Sequence, residues 1–451
     1  MGPQDLNSFI SMLEKSGDLS RVTCQVDPNL EIAAIVDRVC KDDEGNKALL
    51  FENVMGSDFR IAANLFGSRQ RMAACFGIDD VEKLPEKLRH DLARTEENTS
   101  ARALEQLIKM PEFAAVNEAD AAWQELDVTA LGLDVIPALK SWPEDGGRYL
   151  TLGQVFTSHP VTGDINCGIY RVQLTGRHRG LLRCHPGSGG AGHIKAWHDR
   201  GEAMPVAIAL GGPPALTFAA SVSLPQNVSE INFVGYLLNS AIAMSPCKQT
   251  QLSVPATAEI IIEGRIFPEE ALPEGPFGNH TGYYAPRSPA PVLRVESINM
   301  KQEAIYPCTI VGPPPMENIY LARTSERLLL PLLQHDCPWV RDVHMPVESI
   351  FHRVALVHIA DDCGADVEEI QEALESAMLL KGSKLIILTD EDVDRLDLKK
   401  IYWQLINNLG QSDKSMGVVV DARTKPGAQK VLSTEMIVQM IDARWNEYGL
   451  S

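Results

Sequence analysis

The chain has 451 residues, 45% hydrophobic and 22% charged, which predicts a globular protein of two or three domains with a core large enough to need no disulfides. Its 41 Lys and Arg against 60 Asp and Glu leave a net charge of −19, which repels phosphate backbones and argues against nucleic acid as a partner. The nine cysteines are odd in number and hold no C-x-x-C pair, the pattern of reduced thiols rather than of a disulfide frame or a zinc cage. No apolar run reaches the roughly 18–20 residues of a membrane span, and the polar, acidic start is not a secretory signal. A soluble, cytoplasmic protein is expected.

In chain order, Leu6, Phe9, Ile10 and Leu13 fall at helical spacing, with Asp5 as N-cap and Gly17 as stop. Ile32, Ile35, Val36 and Val39 repeat the pattern. Residues 82–118 are charged and helical in flavour, and read as a connector rather than a core element. From about Ser141, short β-rich runs dominate, at 149–156, 167–174, 206–210, 258–262 and 292–298. Turn signals separate them (EDGG at 144–147, GSGG at 187–190, GGPP at 211–214, GPPP at 312–315), which predicts a mostly β sheet or barrel. Residues 354–359, 384–388 and 417–421 then read as buried strands alternating with helical stretches such as 397–409, the mark of βαβ units. A last helix puts Met436, Ile437, Met440 and Ile441 on one face, a candidate subunit contact.

Four segments are candidates for chemistry. Residues 166–171 (NCGIYR) set Arg171 in an apolar strand, where it needs an anionic partner, and a structural carboxylate fits as well as a bound anion. Residues 183–193 (RCHPGSGGAGH) form a glycine-rich loop before a helix, flanked by His185 and His193. Its backbone N–H groups suit a phosphate, although alone it reads first as a plain loop. Glu230 precedes the apolar helical run 233–238, and alone it is a helix-start carboxylate favoured by the macrodipole. Residues 273–284 (PEGPFGNHTGYY) hold Glu274, Asn279 and His280 between glycines, prolines and aromatics, a rigid loop with the look of a site, a surface turn being the bland alternative. No H-E-x-x-H, Walker A, G-x-S-x-G or G-x-G-x-x-G is present, so metalloprotease and NAD-type chemistry are poorly supported. Asn and Glu with one His suit Mn2+ or Mg2+ better than zinc.

Together, DLNSFISMLEKSGDL, EDGGRYLTLGQVFTSHPVTGDINCGIYR, MPVAIALGGPPA, VSEINFVG, PATAEIIIEG, PEGPFGNHTGYY and KSMGVVVDA resemble the UbiD family of reversible (de)carboxylases over nearly the whole chain. The resemblance implies an α/β (α+β) protein: an N-terminal α/β domain (1–115), a central split β-barrel-like cofactor domain (116–325) and a C-terminal α/β domain with an oligomerisation helix (326–451). It implies prenylated FMN anchored through a divalent metal, usually Mn2+, with K+ nearby. Asn166 and Glu230 match metal ligands, with His185 the better-placed third ligand and His193 the alternative. Ile169, Tyr170, Arg171, Arg183, Cys184, Ser188 and Gly189 match flavin-contacting positions. Lys414 resembles a lysine that reaches the cofactor, and 219–223 the stretch whose carbonyls face K+.

Of the family's Glu–Arg–Glu trio, Arg171 and Glu274 match, whereas the last acidic position is Asn279. An amide cannot donate and regain a carboxyl proton, so His280 or Glu274 must do so, or activity is altered or lost. The implied reaction is non-oxidative decarboxylation of an aromatic or α,β-unsaturated acid. Quinone biosynthesis on a polyprenyl-hydroxybenzoate or naphthoate, catabolism of a hydroxyaryl or heteroaryl acid, and a non-catalytic flavin- or metal-binding role compete as readings. The implied partners are a flavin prenyltransferase as cofactor supplier and further copies of the chain, as dimer or hexamer. Peripheral membrane contact is expected only for a polyprenylated substrate.

Overall fold

The computed structural model describes residues 2–42, 44–351, 353–390, 394, 396–408 and 427–450. Helix α1 (Leu6–Lys15) forms where its spacing predicts. Asp5 accepts from Ser8 N at 2.6 Å, and Leu6, Phe9, Ile10 and Leu13 are buried. Strand β1 (Leu19–Val22), helix α2 (Glu31–Cys40), and strands β2 (Ala48–Phe51) and β3 (Arg60–Ala63) follow, β1 parallel and β3 antiparallel to β2. Residues 82–118 are not a mere connector. Helices α3 (Lys83–Leu92) and α4 (Ser100–Ile108) bury Leu84, Leu88, Leu92, Leu104 and Ile108 in a large core. Their charged outer faces mask an apolar stripe of helical period, as at the edge of any core.

The centre is a nine-stranded sheet. Its strands include β4 (Gln154–Ser158), β5 (Ile165–Ile169), β6 (Arg171–Gly176) and β7 (Arg179–Arg183). Helix α5 (Gly189–Asp199) leads to β8 (Met204–Gly211), and helix α6 (Glu230–Leu238) precedes β9 (Ala258–Glu274). A short hairpin, β10 (Phe277–Gly278) with β11 (Tyr284–Ala285), returns the chain to β12 (Ser288–Met300). The sheet order is Tyr149–Leu150, β6, β7, β12, β9, β8, β4, β5, with Leu126–Asp127 paired to β12. Among the described residues the two ends of this path do not pair, so the sheet is open and the expected barrel is not closed. Alternating strands and turns read alike for both, because closure depends on tilt and stagger. All eight residues of β8 are buried, which explains its unbroken apolar run.

Strand β13 (Ile305–Cys308) then pairs parallel with β3 and completes the first sheet. Helix α7 (Asn318–Asp336) leads to a third sheet of β14 (Val340–His344), β15 (Val354–Ile359) and β16 (Leu385–Thr389). Parallel β15 and β16 flank helix α8 (Val367–Ser376), the expected βαβ unit, and helix α9 (Leu398–Asn408) follows. The expected strand at 417–421 and Lys414 lie outside the described residues. Helix α10 (Glu435–Arg444) corrects one expectation: Ile437 and Ile441 are buried in the chain's own core, and Arg38 of α2 pairs with Asp442 at 2.6 Å. Of the four apolar residues only Met436 is exposed, at 74%. An apolar face reads the same whether it meets a partner or the chain's own core. No helix among the described residues is long and apolar enough to cross a membrane.

The register of β9 on β12 shifts at Gly264, where an added Cβ would lie 2.1 Å from the Arg294 carbonyl oxygen. Gly264→Ala should therefore force these two long strands apart locally and cost about 1–3 kcal/mol. A guanidinium midpoint equal to the parent's would show that the strands can yield there.

Candidate active site

The site begins with charge. β6 and β7 pair so that Arg171 stands opposite Arg183, and like charges at facing positions destabilise a sheet. Glu274, the last residue of β9, answers Arg171 alone. It accepts from Nε at 2.8 Å and from Nη2 at 2.9 Å. Glu274 is fully buried and Arg171 is 17% exposed, so this is a sheltered two-pronged pair. The Phe277 ring lies 4.3 Å from the same guanidinium. Arg183 donates through Nη1 to the Pro289 carbonyl at 3.0 Å. Two guanidiniums against one carboxylate leave a local positive excess in a chain of net charge −19. That is the electrostatic form of an anion site.

A cradle holds the loop after Glu274. Gly275 N donates to Gln173 Oε1 at 3.0 Å, and Gln173 Nε2 donates to the Gly146 carbonyl at 2.8 Å. Gly146 N donates to the Pro276 carbonyl at 2.8 Å. A Cβ at Gly146 would lie 2.2 Å from the Gly275 carbonyl oxygen, so only glycine allows this approach. Asp145 accepts from Gly278 N at 2.8 Å and from Trp142 N at 2.9 Å. Burial pushes the Asp145 carboxyl up to about 6, against the pull of these backbone N–H groups. Tyr149 donates to the Pro276 carbonyl at 3.2 Å, and its ring lies 4.7 Å from that of Phe277. The EDGG segment read only as a turn, because no local signal distinguishes a solvated turn aspartate from one that clamps a loop 133 residues away.

The other half of the site lies on β5. Asn166 stands opposite Thr157 of β4, and the start of α5 descends on it. A Cβ at Gly189 would lie 2.0 Å from Asn166 Oδ1. Gly190 N and Asn166 Nδ2 both donate to the Tyr170 hydroxyl, at 3.1 and 3.4 Å. Ser188 caps α5, accepting from Ala191 N at 3.4 Å and donating to the His185 carbonyl at 2.8 Å. Glu230, the first residue of α6, accepts from Cys167 N at 3.3 Å, and burial pushes its carboxyl up to about 7. Asn166 and Glu230 therefore meet β5 at successive residues. Ile169 N donates to the Ala220 carbonyl at 2.9 Å, which ties residues 219–223 to the same strand.

The His185 imidazole is held below its ordinary range by burial and then by the positive charges of Arg171 and Arg183. His193 sits on α5, with Nδ1 2.8 Å from Thr157 Oγ1, and is lowered by burial and by His159. Both rings thus favour the neutral form that binds metals. The half-buried Cys184 thiol is pushed up to about 12 by burial. Among the described residues no three His, Cys, Asp or Glu side chains converge as a metal site. The Asn–Glu pair would need an imidazole or a ligand oxygen to complete a metal's coordination. Oxygen donors beside a helix N-terminus and guanidiniums nevertheless fit a hard divalent cation that bridges an anion.

The hairpin tip carries Asn279 and His280. Asn279 Oδ1 accepts from Thr281 N at 2.9 Å and Thr281 Oγ1 at 2.8 Å. The His280 ring lies 5.9 Å from that of Phe351, which enters from the segment before β15. Residues 429–431 pin the hairpin, with Tyr284 N donating to the Gln429 carbonyl at 3.1 Å and Val431 N to the Gly282 carbonyl at 2.9 Å. Neither Phe351 nor 429–431 carries a sequence signal for this role.

Asp145→Asn replaces two acceptor oxygens by one, so Trp142 N or Gly278 N loses its partner. Such a loss costs roughly 1–3 kcal/mol. Amides of residues 275–278 should then exchange about tenfold faster or more by hydrogen–deuterium exchange mass spectrometry. Unchanged exchange would show that Asp145 does not hold the loop.

Three family models match the chain in order: the N-terminal domain of 3-octaprenyl-4-hydroxybenzoate carboxy-lyase over residues 10–89, its Rift-related domain over 114–314, and its C-terminal domain over 319–422. A protein of Aquifex aeolicus (strain VF5) is 37% identical over 414 residues, 90% of this chain and 85% of that one. An evolved dimeric form of the UbiD-class enzyme HmfF from Pelotomaculum thermopropionicum, in complex with prFMN, superposes with a TM-score of 0.76 at 26% identity, covering 90% of each chain. The closed form of vanillic acid decarboxylase from Sedimentibacter hydroxybenzoicus superposes with a TM-score of 0.79 over 99% of each chain, and at 22% identity it shows the shared fold alone. The matched segments span most of the sequence, and the chain belongs to the UbiD family of carboxy-lyases.

Proposed function

We propose that this carboxy-lyase uses prenylated FMN to decarboxylate an aromatic or α,β-unsaturated carboxylic acid. The excess positive charge of Arg171 and Arg183 over Glu274, next to the N-terminus of α5, carries this reading. The prFMN bound by the HmfF neighbour supports the choice of flavin. Asn166 and Glu230 would hold a divalent metal, Mn2+ on the family pattern, against the flavin phosphate, and residues 219–223 would face K+. Tyr170, Ser188 and Gly189 shape the phosphate end, with Ile169, Arg183 and Cys184 beside it. Lys414 is assigned to the cofactor by resemblance alone.

Prenylated FMN, when bound, takes up the electron pair that departing CO2 leaves behind. The chain's own residues bind, orient and protonate. Glu274 engages Nε and Nη2 of Arg171, so the guanidinium turns its remaining edge, Nη1, toward the substrate carboxylate. Asn279 turns its oxygen to Thr281 and therefore presents Nδ2, a donor that holds but does not protonate. Glu274 has both oxygens on Arg171, so proton delivery falls to His280, the next residue of the hairpin. The substitution at Asn279 favours one other reading, a flavin- or metal-binding homologue without turnover.

Protein co-expressed with a flavin prenyltransferase should release CO2 from a member of a panel of aryl and acrylic acids and exchange H for D at the carboxyl-bearing carbon. His280→Gln should lower turnover about a hundredfold, the contribution of a general acid, and Asn279→Asp in that background should restore part of it. No CO2 and no exchange across the panel would leave the binding-homologue reading. Hydroxybenzoate and naphthoate quinone precursors and catabolic hydroxyaryl or heteroaryl acids are rival substrates, and a deletion strain with normal quinones would remove the first.

Metal retention tests the other half of the site. Asn166→Ala and Glu230→Gln should purify with metal near background. His185 is proposed as third ligand on the family resemblance, in the loop where Ser188 donates to its carbonyl. The rival is His193, whose Nδ1 contact to Thr157 could orient Nε2 as second-shell partners orient metal-bound imidazoles. Metal content of the two alanine variants decides between them. Glu230 must lose its proton to bind, and that proton leaves only near pH 7 in the folded chain. Affinity of the flavin-free protein for Mn2+ should therefore rise with pH below about 7 and level off above it. A pH-independent affinity would remove Glu230 from the ligand set.

A further inference from the structure

A cavity of about 230 Å3 lies outside this site, walled by the start of α4, by α7 and by the end of α8. Helix α7 is its spine. Leu329 and Leu332 belong to the core shared with α3, α4 and α6, whereas Leu333 and Cys337 belong to the core of the third sheet. The cavity is thus a seam between two hydrophobic cores. Small side chains open it, Ala101 from α4, Ala373 from α8 and Ala377 just after α8, and Met378 and Leu379 add further apolar wall.

The polar groups of its wall are already engaged by the chain. Ser100 donates to Asp336 through N at 2.7 Å and through Oγ at 2.5 Å, and Ser376 Oγ donates to the Ala373 carbonyl at 2.7 Å. Asp336, with its side chain 43% exposed, sets a negative charge at the edge. We propose that this seam binds an uncharged monocyclic aromatic molecule. Size, surface and charge agree. An apolar cavity of about 150 Å3 stays dry and binds benzene, so this one has room for a ring with one or two small substituents. The unbranched Met378 can adapt to its outline. An aryl carboxylate would face Asp336 and give up its hydration with no cation in return.

An arene that has lost its carboxyl group is what the proposed reaction releases, so the seam would favour product over substrate. That link rests on the decarboxylase reading, whereas the binding itself does not. Pro225, also in the wall, lies on the loop that runs from residues 219–223 to Glu230, so the seam touches the segment leading to the metal side. A bound ring would stiffen the joint between the two cores and stabilise the folded chain by mass action.

The test follows 4-fluorophenol by 19F NMR and thermal shift, with 4-fluorobenzoate as its charged counterpart. In the parent, 4-fluorophenol should bind saturably and raise Tm. Ala373→Phe, which fills the cavity from α8, should abolish this binding, and Ala101→Phe should do the same from the opposite wall if the first variant folds poorly. In the parent, the share of 4-fluorobenzoate binding that Ala373→Phe abolishes should be at least tenfold weaker than that of 4-fluorophenol. Absence of 4-fluorophenol binding, binding that survives both filled variants, or equal affinity of the seam for the two probes would overturn the site. Because no turnover is involved, a chain that binds 4-fluorophenol here but releases no CO2 would lose only the product link.

Discussion

Two guanidiniums and one carboxylate meet where β6, β7 and the end of β9 converge, and much of the site follows from that imbalance. Glu274 is fully buried, and removing its partner would strand a charge at a cost of about 3–5 kcal/mol. The pair is therefore obligatory to the fold as well as useful to the chemistry. It fixes the orientation of Arg171 and leaves the charge of Arg183 for a ligand. An acidic surface that repels phosphate backbones thus surrounds a small cationic centre that can hold one anion.

The geometry of that pair depends on parts that do no chemistry. Asp145, Gly146 and Gln173 hold the backbone after Glu274 from three directions, and Tyr149 stacks against Phe277 beneath the guanidinium. The residues around Asn166 are arranged in the same manner. Tyr170, between β5 and β6, gathers Asn166 and the start of α5 on one hydroxyl. Strands β5 and β6 run on from one another, so the Asn166 and Arg171 groups, each braced from behind, lie five residues apart along the chain.

Farther out, α7 organises the C-terminal part of the chain. Its two apolar faces serve two cores, so any shift of the third sheet must be taken up along this helix. The small-residue seam on its flank leaves a cavity in that packing. Helix α10 returns to α2, and residues 429–431 just before it brace the hairpin of β10 and β11. The terminal segment therefore belongs to the architecture of the site.

The sequence alone determined most element types and nominated the candidate site residues. Helical and strand periodicity located α1, α2, β8 and the βαβ unit of the third sheet, because burial imposes those periods locally. Motif resemblance picked out Asn166, Arg171, Glu230 and Glu274, and exposed Asn279 as a departure from the acidic pattern. Tertiary structure alone decided that residues 82–118 supply core helices, that the central sheet stays open, that α10 turns inward and that Asp145 clamps the catalytic loop. It also decided which way the Asn279 amide faces. The reason is distance along the chain: Arg171 and Glu274 lie 103 residues apart, and Asp145 and Gly278 lie 133 apart. Local pattern can say that such residues need partners, but only the packed fold says which partners they meet.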